Sequence, residues 1–188
     1  MTRKEDILNS AEALARRHGY DGFSYADIAS DVGIRKASIH YHFASKADLG
    51  LALMQRYRGD FATNLAKTTD LLPRAANKLS AYLDIYKSAL AGGEMVCLCV
   101  AFSAVRGSLS PEVLLELNGF HEDGLTWLEG VFAQARADGS IDGAEDPISE
   151  AVATLALVEG AHLMARAAVD VARFDAAISM LRSRLETV

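Results

Sequence analysis

Apolar side chains return every three or four positions along nearly the whole chain, and no stretch shows the two-residue alternation of a half-buried strand. Ile7, Ala11, Leu14 and Ala15 share one face, which predicts a helix over about residues 3–18, punctuated by Gly19 and Gly22. Ser24 followed by Asp27 has capping-box spacing and opens a short helix with Ile28, Ala29 and Val32 turned inward. Gly33 ends it after two turns, and another short helix follows over about 35–41. Ser45 and Asp48 repeat the capping signal ahead of Leu49, Leu53, Tyr57 and Phe61, so a long helix is expected to run beyond Leu65.

Past Leu71, Leu72 and Pro73, apolar helical runs are expected at 75–91, 93–106, 111–137, 148–169 and 172–186. Pro111 after Ser110, and Pro147 after Asp146, stand just inside helices with a polar cap before them. Residues 138–146 read as the clearest loop. The expected fold class is all-α: a three-helix bundle carrying a helix-turn-helix at about 24–43, then a larger helical domain. The domain boundary is expected between 61 and 62.

Composition bounds the function. With 51% hydrophobic and 23% charged residues, 188 residues can bury a core and do not read as a disordered tail. Two cysteines cannot staple a secreted miniprotein or form a metal knuckle, so no metal and no cofactor is expected. The opening residues lack a signal-peptide core, and no uninterrupted apolar run reaches membrane-spanning length, so a soluble cytoplasmic protein with no membrane partner is expected. The net charge of −6 argues against nucleic acid until it is divided. Residues 1–60 hold 9 Lys/Arg against 8 Asp/Glu, whereas 61–188 hold 10 against 17. A weakly positive head on an acidic body can bind DNA if its basic groups share a face.

Residues 24–46 supply that face. Two short capped helices around Val32, Gly33 and Ile34 form a helix-turn-helix pattern, with Gly33 suited to positive φ and Ile28, Ala29, Val32 and Ile39 closing a small core. The outer side of the second helix can then enter a major groove. Arg35 and Lys36 can reach phosphate or guanine, Ser38 a base or backbone oxygen, and His40, Tyr41 and His42 add flat polar side chains. Lys46 is expected to clamp phosphate, as is Ser24 with its neighbouring amides, while Phe43 is an apolar plug. Taken singly, each of these is as easily a solvated charge, a cap or a core aromatic.

The run from Ser24 to Leu49 resembles the tetracycline-repressor (TetR/AcrR) family of one-component transcriptional regulators. Ser24 matches the Ser/Thr that opens the first helix of the motif, Ile28 and Ala29 the Ile-Ala pair, Val32 and Gly33 (or Gly33 and Ile34) the turn, Tyr41-His42-Phe43 the aromatic-His-Phe, and Lys46 the following lysine. Arg35 stands where a small Ser is common, Ala37 where Gly is frequent and His40 where Tyr is usual, so the operator is expected to differ from that of relatives. The match covers about residues 3–60. It implies operator contacts from the matched residues, a homodimer on dyad-symmetric double-stranded DNA, and residues 62–188 as an effector-binding and dimerisation domain. A ligand-relieved repressor is the expected function.

For the dimer, the last two helical runs offer Val152, Leu155, Ala156, Leu163, Ile178 and Leu181, with burial inside one subunit as the alternative. For the effector, Met95, Cys97, Cys99, Phe102, Phe120 and Trp127 are candidate lining residues, and Glu159 or His162 (with Glu94 and His121) polar anchors, with a plain helical core as the alternative. Glu94, Glu159 and Asp170 favour a neutral or cationic ligand. On one helix Cys97 and Cys99 would point about 200° apart, a poor arrangement for a disulfide or shared metal; buried inert thiols are preferred to a redox or electrophile sensor. A dimeric adaptor and a small hydrolase are the alternative classes. The enzyme reading has no phosphate loop, nucleophile elbow or HExxH pair behind it.

Overall fold

The computed structural model describes residues 2–185. They form nine α-helices: α1 (Arg3–His18), α2 (Tyr25–Val32), α3 (Lys36–His42), α4 (Lys46–Leu71), α5 (Ala75–Ala89), α6 (Leu98–Ser103), α7 (Pro111–Asp138), α8 (Pro147–Ala168) and α9 (Ala172–Ser183). Short 3₁₀ turns occupy Ala91–Gly93 and Arg106–Ser108. Among the described residues there is no strand, only one antiparallel bridge between Ile141 and Leu185. Residue 186, the expected end of the last helical run, lies outside the described residues.

Three capping boxes set the first helices. Thr2 caps α1 with Glu5, Ser24 caps α2 with Asp27, and Ser45 meets Asp48 at the start of α4. Each satisfies amides that the first helical turn leaves without partners. Gly33 closes α2 at φ 71°, a left-handed cap that a side chain would strain.

The run expected at 93–106 is broken. Gly92 and Gly93 take φ of 75° and 94°, and a Cβ on Gly93 would sit 2.9 Å from the Val169 carbonyl carbon. Helix therefore resumes only at Leu98, which leaves Met95 and Cys97 outside it. The two-thiols-on-one-helix geometry does not arise. No disulfide joins these buried cysteines.

The chain divides into two compact units, Met1–Gly59 with Leu98–Phe120, and Asp60–Cys97 with His121–Val188. The sequence boundary at 61/62 lies close to the Gly59/Asp60 division, but the structure also places residues 98–120 with the head. In the first unit Ile7, Ala11, Ile28, Ile39, Leu49 and Leu53 are fully buried, and Phe102 of α6 packs edge-on to Tyr20 at 5.0 Å. Arg56 ties α4 to α1 through Glu12 (2.7 Å) and the Leu8 carbonyl (3.1 Å).

In the second unit α8 and α9 pack together, with Leu79, Tyr82, Leu83, Val158, Phe174 and Ile178 in the core. Helix α5 follows Arg74 at its N-cap, which makes no side-chain cap bond. Its first amides are capped from a distance: Ala75 N–H donates to Asp138 Oδ2 and Ala76 N–H to Ser140 Oγ, each at 3.0 Å. Arg184 grips Glu150 through both terminal nitrogens and donates Nε–H to the Asp142 carbonyl, fixing the 138–146 loop to the end of α9.

Helix α8, with an 18-residue window of mean hydropathy 1.3, has the length and apolar composition to cross a membrane. No such helix was expected, because Glu150 and Glu159 interrupt its apolar run while its many alanines keep the average high. Ala151, Leu155, Val158, Ala161 and Ala165 are buried inside the unit.

Candidate functional site

Helix α3 is held by its inner residues and leaves its outer ones to solvent. Ile39 is fully buried, Phe43 is 3% exposed and Ile28 of α2 is fully buried. The turn between the helices is closed by Gly33 N–H and Ile34 N–H, both donating to the Ala29 carbonyl. Arg35 occupies the N-cap of α3 without using its side chain there. Arg35, Lys36, Ser38, His40 and Tyr41 are all exposed, Tyr41 at 86%, and His42 is half-buried with its ring 5.1 Å from that of Tyr41. His40 sets its Nδ1 3.3 Å from the Ala44 carbonyl and its ring 4.8 Å from Tyr25. With Nδ1–H donating there, the neutral ring presents Nε2 as an acceptor.

Two tyrosines brace this face, and neither was singled out from the sequence. Tyr25 O–H donates to the carbonyls of Phe43 (3.0 Å) and Ser45 (2.6 Å), spanning the α3–α4 turn. Burial first, and the Asp48 charge second, push its phenol up to about 12, so it remains a donor at physiological pH. Tyr20 O–H donates to the Lys46 carbonyl at 2.9 Å. The only sequence signal for either is an aromatic hydroxyl next to a glycine or cap; the acceptors lie 18 to 26 residues away.

Two expected phosphate contacts are engaged within the protein. Lys46 turns inward: Nζ donates to the Phe23 carbonyl at 2.5 Å and lies over the Phe23 and Tyr20 rings, 4.4 and 4.9 Å from their centroids. Burial lowers its pKa, with Asp21 and Asp27 pulling the other way. Ser24 directs both N–H and Oγ–H at Asp27 Oδ2, each at 2.8 Å. Those bonds hold Asp27 below the usual carboxylate range, and charged.

The effector candidates fall in both units. Cys99 and Phe102 on α6, and Phe120 on α7, belong to the first unit, where Phe120 lies 5.6 Å from Tyr57. Met95, Cys97, Trp127, Glu159 and His162 belong to the second. His162 is fully buried and saturated: Cys97 N–H donates to Nδ1 at 3.0 Å, and Nε2–H donates to the Tyr86 carbonyl at 2.8 Å. These bonds select the neutral Nε2–H tautomer and occupy both ring nitrogens within the core. Glu159 meets His121 at 3.1 Å, and that bond raises the imidazole pKa against the opposing effect of burial. Trp127 is half-buried, stacked on Tyr82.

The dimer candidates separate by exposure. Leu155, Ile178 and Leu181 are buried within the unit, whereas Val152 and Leu163 are 53% and 54% exposed and Ala156 is exposed. The outward apolar face also includes Ile148, Met164 and, on α9, Met180.

Residues 7–53 match the family model for bacterial regulatory proteins, tetR family. A TetR-family regulator from Agrobacterium tumefaciens shares 33% identity across 98% of this chain and 97% of its own, with a TM-score of 0.91. The chain belongs to the TetR family of transcriptional regulators. A stretch of 46 residues is 46% identical to IcaR, the negative transcriptional regulator of the biofilm operon in Staphylococcus aureus. That match spans 24% of this TetR-family chain and 25% of IcaR. The repressor NemR of Escherichia coli is 24% identical over 87% of the chain and 83% of its own length. The segment matched by the TetR family model includes α3.

Proposed function

We propose that this TetR-family chain is a ligand-relieved repressor that binds operator DNA as a homodimer in the cytoplasm, without catalytic turnover. One observation carries the reading: Arg35 at the N-cap of α3 and Lys36, Ser38, His40 and Tyr41 along it are all exposed, while Ile39 and Phe43 anchor the helix from behind. A short helix exposed in this way and held only from its inner side suits a major groove. Two copies related by a dyad would address half-sites roughly 34–36 Å apart. The exposed apolar face of α8, with Val152, Ala156, Leu163 and Met164, is the surface we assign to the second copy. IcaR and NemR are themselves a negative regulator and a repressor, which supports the same sign here.

An effector in the domain at 62–188 would act by binding the DNA-incompetent state more tightly than the competent one. Helix α4 runs from Lys46 beside the reading helix to Leu71, and is the element we assign to the coupling. Selection of bound genomic fragments by the purified protein tests the reading. The expected yield is sites with dyad symmetry and a fixed half-site spacing; a protein that enriches no sequence at low salt overturns it.

A further inference from the structure

In the second unit, the last turns of α4, the start of α5 and the middle of α7 enclose a groove of about 260 Å³. Its surface is apolar apart from a few fixed groups. Trp127, the chain's single tryptophan, lines it. The indole is stacked on Tyr82 at 5.6 Å and 17°, and Nε1–H donates to Thr69 Oγ1 at 2.8 Å, so it is positioned before any ligand arrives. Lys78 lines the same groove, half-buried, with Nζ donating to Gln134 Oε1 at 2.7 Å.

That lysine is the unusual group. Gln134 passes its own amide hydrogens to the Pro73 carbonyl (2.6 Å) and to Asp138 Oδ2 (3.1 Å). Asp138 in turn is occupied by the Ala75 and Ser140 amides. An amide relay therefore separates Lys78 from the carboxylate, and among the described residues no salt bridge neutralises its charge. Two of its three N–H donors remain for a ligand. Gly130 forms part of the wall, and a Cβ there would meet nothing within 4 Å.

We propose that this groove binds a small planar carboxylate, a single-ring arene carboxylate, with the ring against Trp127 and the carboxylate on Lys78. Charge-assisted hydrogen bonding and aromatic contact are the two recognition elements the groove offers. The volume is below the roughly 300–1,000 Å³ of drug-sized sites, which limits the occupant to one ring. Glu94, Glu159 and Asp170, the acids that favoured a neutral or cationic ligand, do not line this groove. Binding here is independent of the operator reading; only its use as the inducer's seat rests on that reading.

The test titrates the full chain with benzoate and follows Trp127 emission, with benzamide as the neutral isostere. Benzoate should give a saturable change, and benzamide should bind at least about tenfold more weakly for want of the charge-assisted bond. Lys78→Met should weaken benzoate by at least about tenfold and Lys78→Arg should retain it. Gly130→Leu should fill the groove and abolish the response with helicity intact, which decides the matter if Lys78→Met fails to fold. Emission unmoved by millimolar benzoate, equal binding of benzamide, or full affinity in Lys78→Met or Gly130→Leu overturns the proposal. Operator binding is measured in parallel: benzoate that binds without changing it leaves the site standing and removes only the inducer role, whereas a protein that ignores DNA defeats the operator reading alone.

Discussion

Tyr25 shows how one hydroxyl positions several functional groups. It ties the Phe43 and Ser45 carbonyls together and lies beside His40, so the end of the reading helix depends on it. Tyr25→Phe removes both bonds and leaves a part-buried carbonyl unsatisfied; we expect a loss of about 1 kcal/mol in urea unfolding, together with weaker operator binding. Lys46 is a parallel case. Because its ammonium is held by Phe23, Lys46→Met should lower the stability of the head and leave the slope of log affinity against log salt unchanged. A decrease of about 0.9 in that slope would instead put Lys46 on phosphate. Arg35→Ala and Lys36→Ala belong to the other class. Their side chains lie in solvent, so stability should be unchanged, and a shifted base preference in selected sites identifies the one that reads sequence.

At the scale of elements, helix ends were legible wherever the determinant was local. Ser24 with Asp27, Ser45 with Asp48, Gly33, Pro111 and Pro147 all mark boundaries that the structure keeps within a residue or two. Determinants distant in sequence were not legible. The caps of α5 come from Asp138 and Ser140, and the break at Gly92 and Gly93 serves a close approach to Val169. His162 looked like a ligand anchor because its partners, the Tyr86 carbonyl and the Cys97 amide, are 76 and 65 residues away. In α8, apolar side chains occur on every side, so periodicity could not tell the face packed on α9 from the face left outside.

Asp138 is held at about 2 by its Ser140, Ala75 and Gln134 bonds, which outweigh the opposing effect of burial. Its folded pKa lies below the unfolded value of about 3.9, so its stabilisation is present above that pH and is lost as pH falls towards 2. Asp138→Ala should cost about 1 kcal/mol, as lost caps do, and flatten the acid limb of the unfolding curve. His121 has the opposite sign. Its pKa is raised by the Glu159 bond, so the pair stabilises fully below about pH 6.5 and fades as pH rises through the shifted value. Glu159→Gln should remove that decline from thermal melts taken across the range.

For the whole molecule, the proposed dimer assigns folding to the inner face of α8 and assembly to its outer face. Leu163→Glu alters an exposed position and should yield a folded monomer by sedimentation, with operator affinity reduced by at least about tenfold because one head must bind alone. Ile178→Ala empties a fully buried position and should destabilise the subunit by about 2–5 kcal/mol. If both variants gave the same monomeric, folded product, the outer face would not be the assembly surface.

The unbroken course of α4 has a mechanical corollary. At 1.5 Å per residue its 26 residues make a rod about 39 Å long. Swinging such a rod by only ~5° about its far end displaces the near end by ~3.4 Å, the rise of one nucleotide step along a duplex strand. An inducer working through this lever needs no large rearrangement at its own seat: a nudge smaller than a methyl group, delivered near the fulcrum, would carry a reading head one rung out of register.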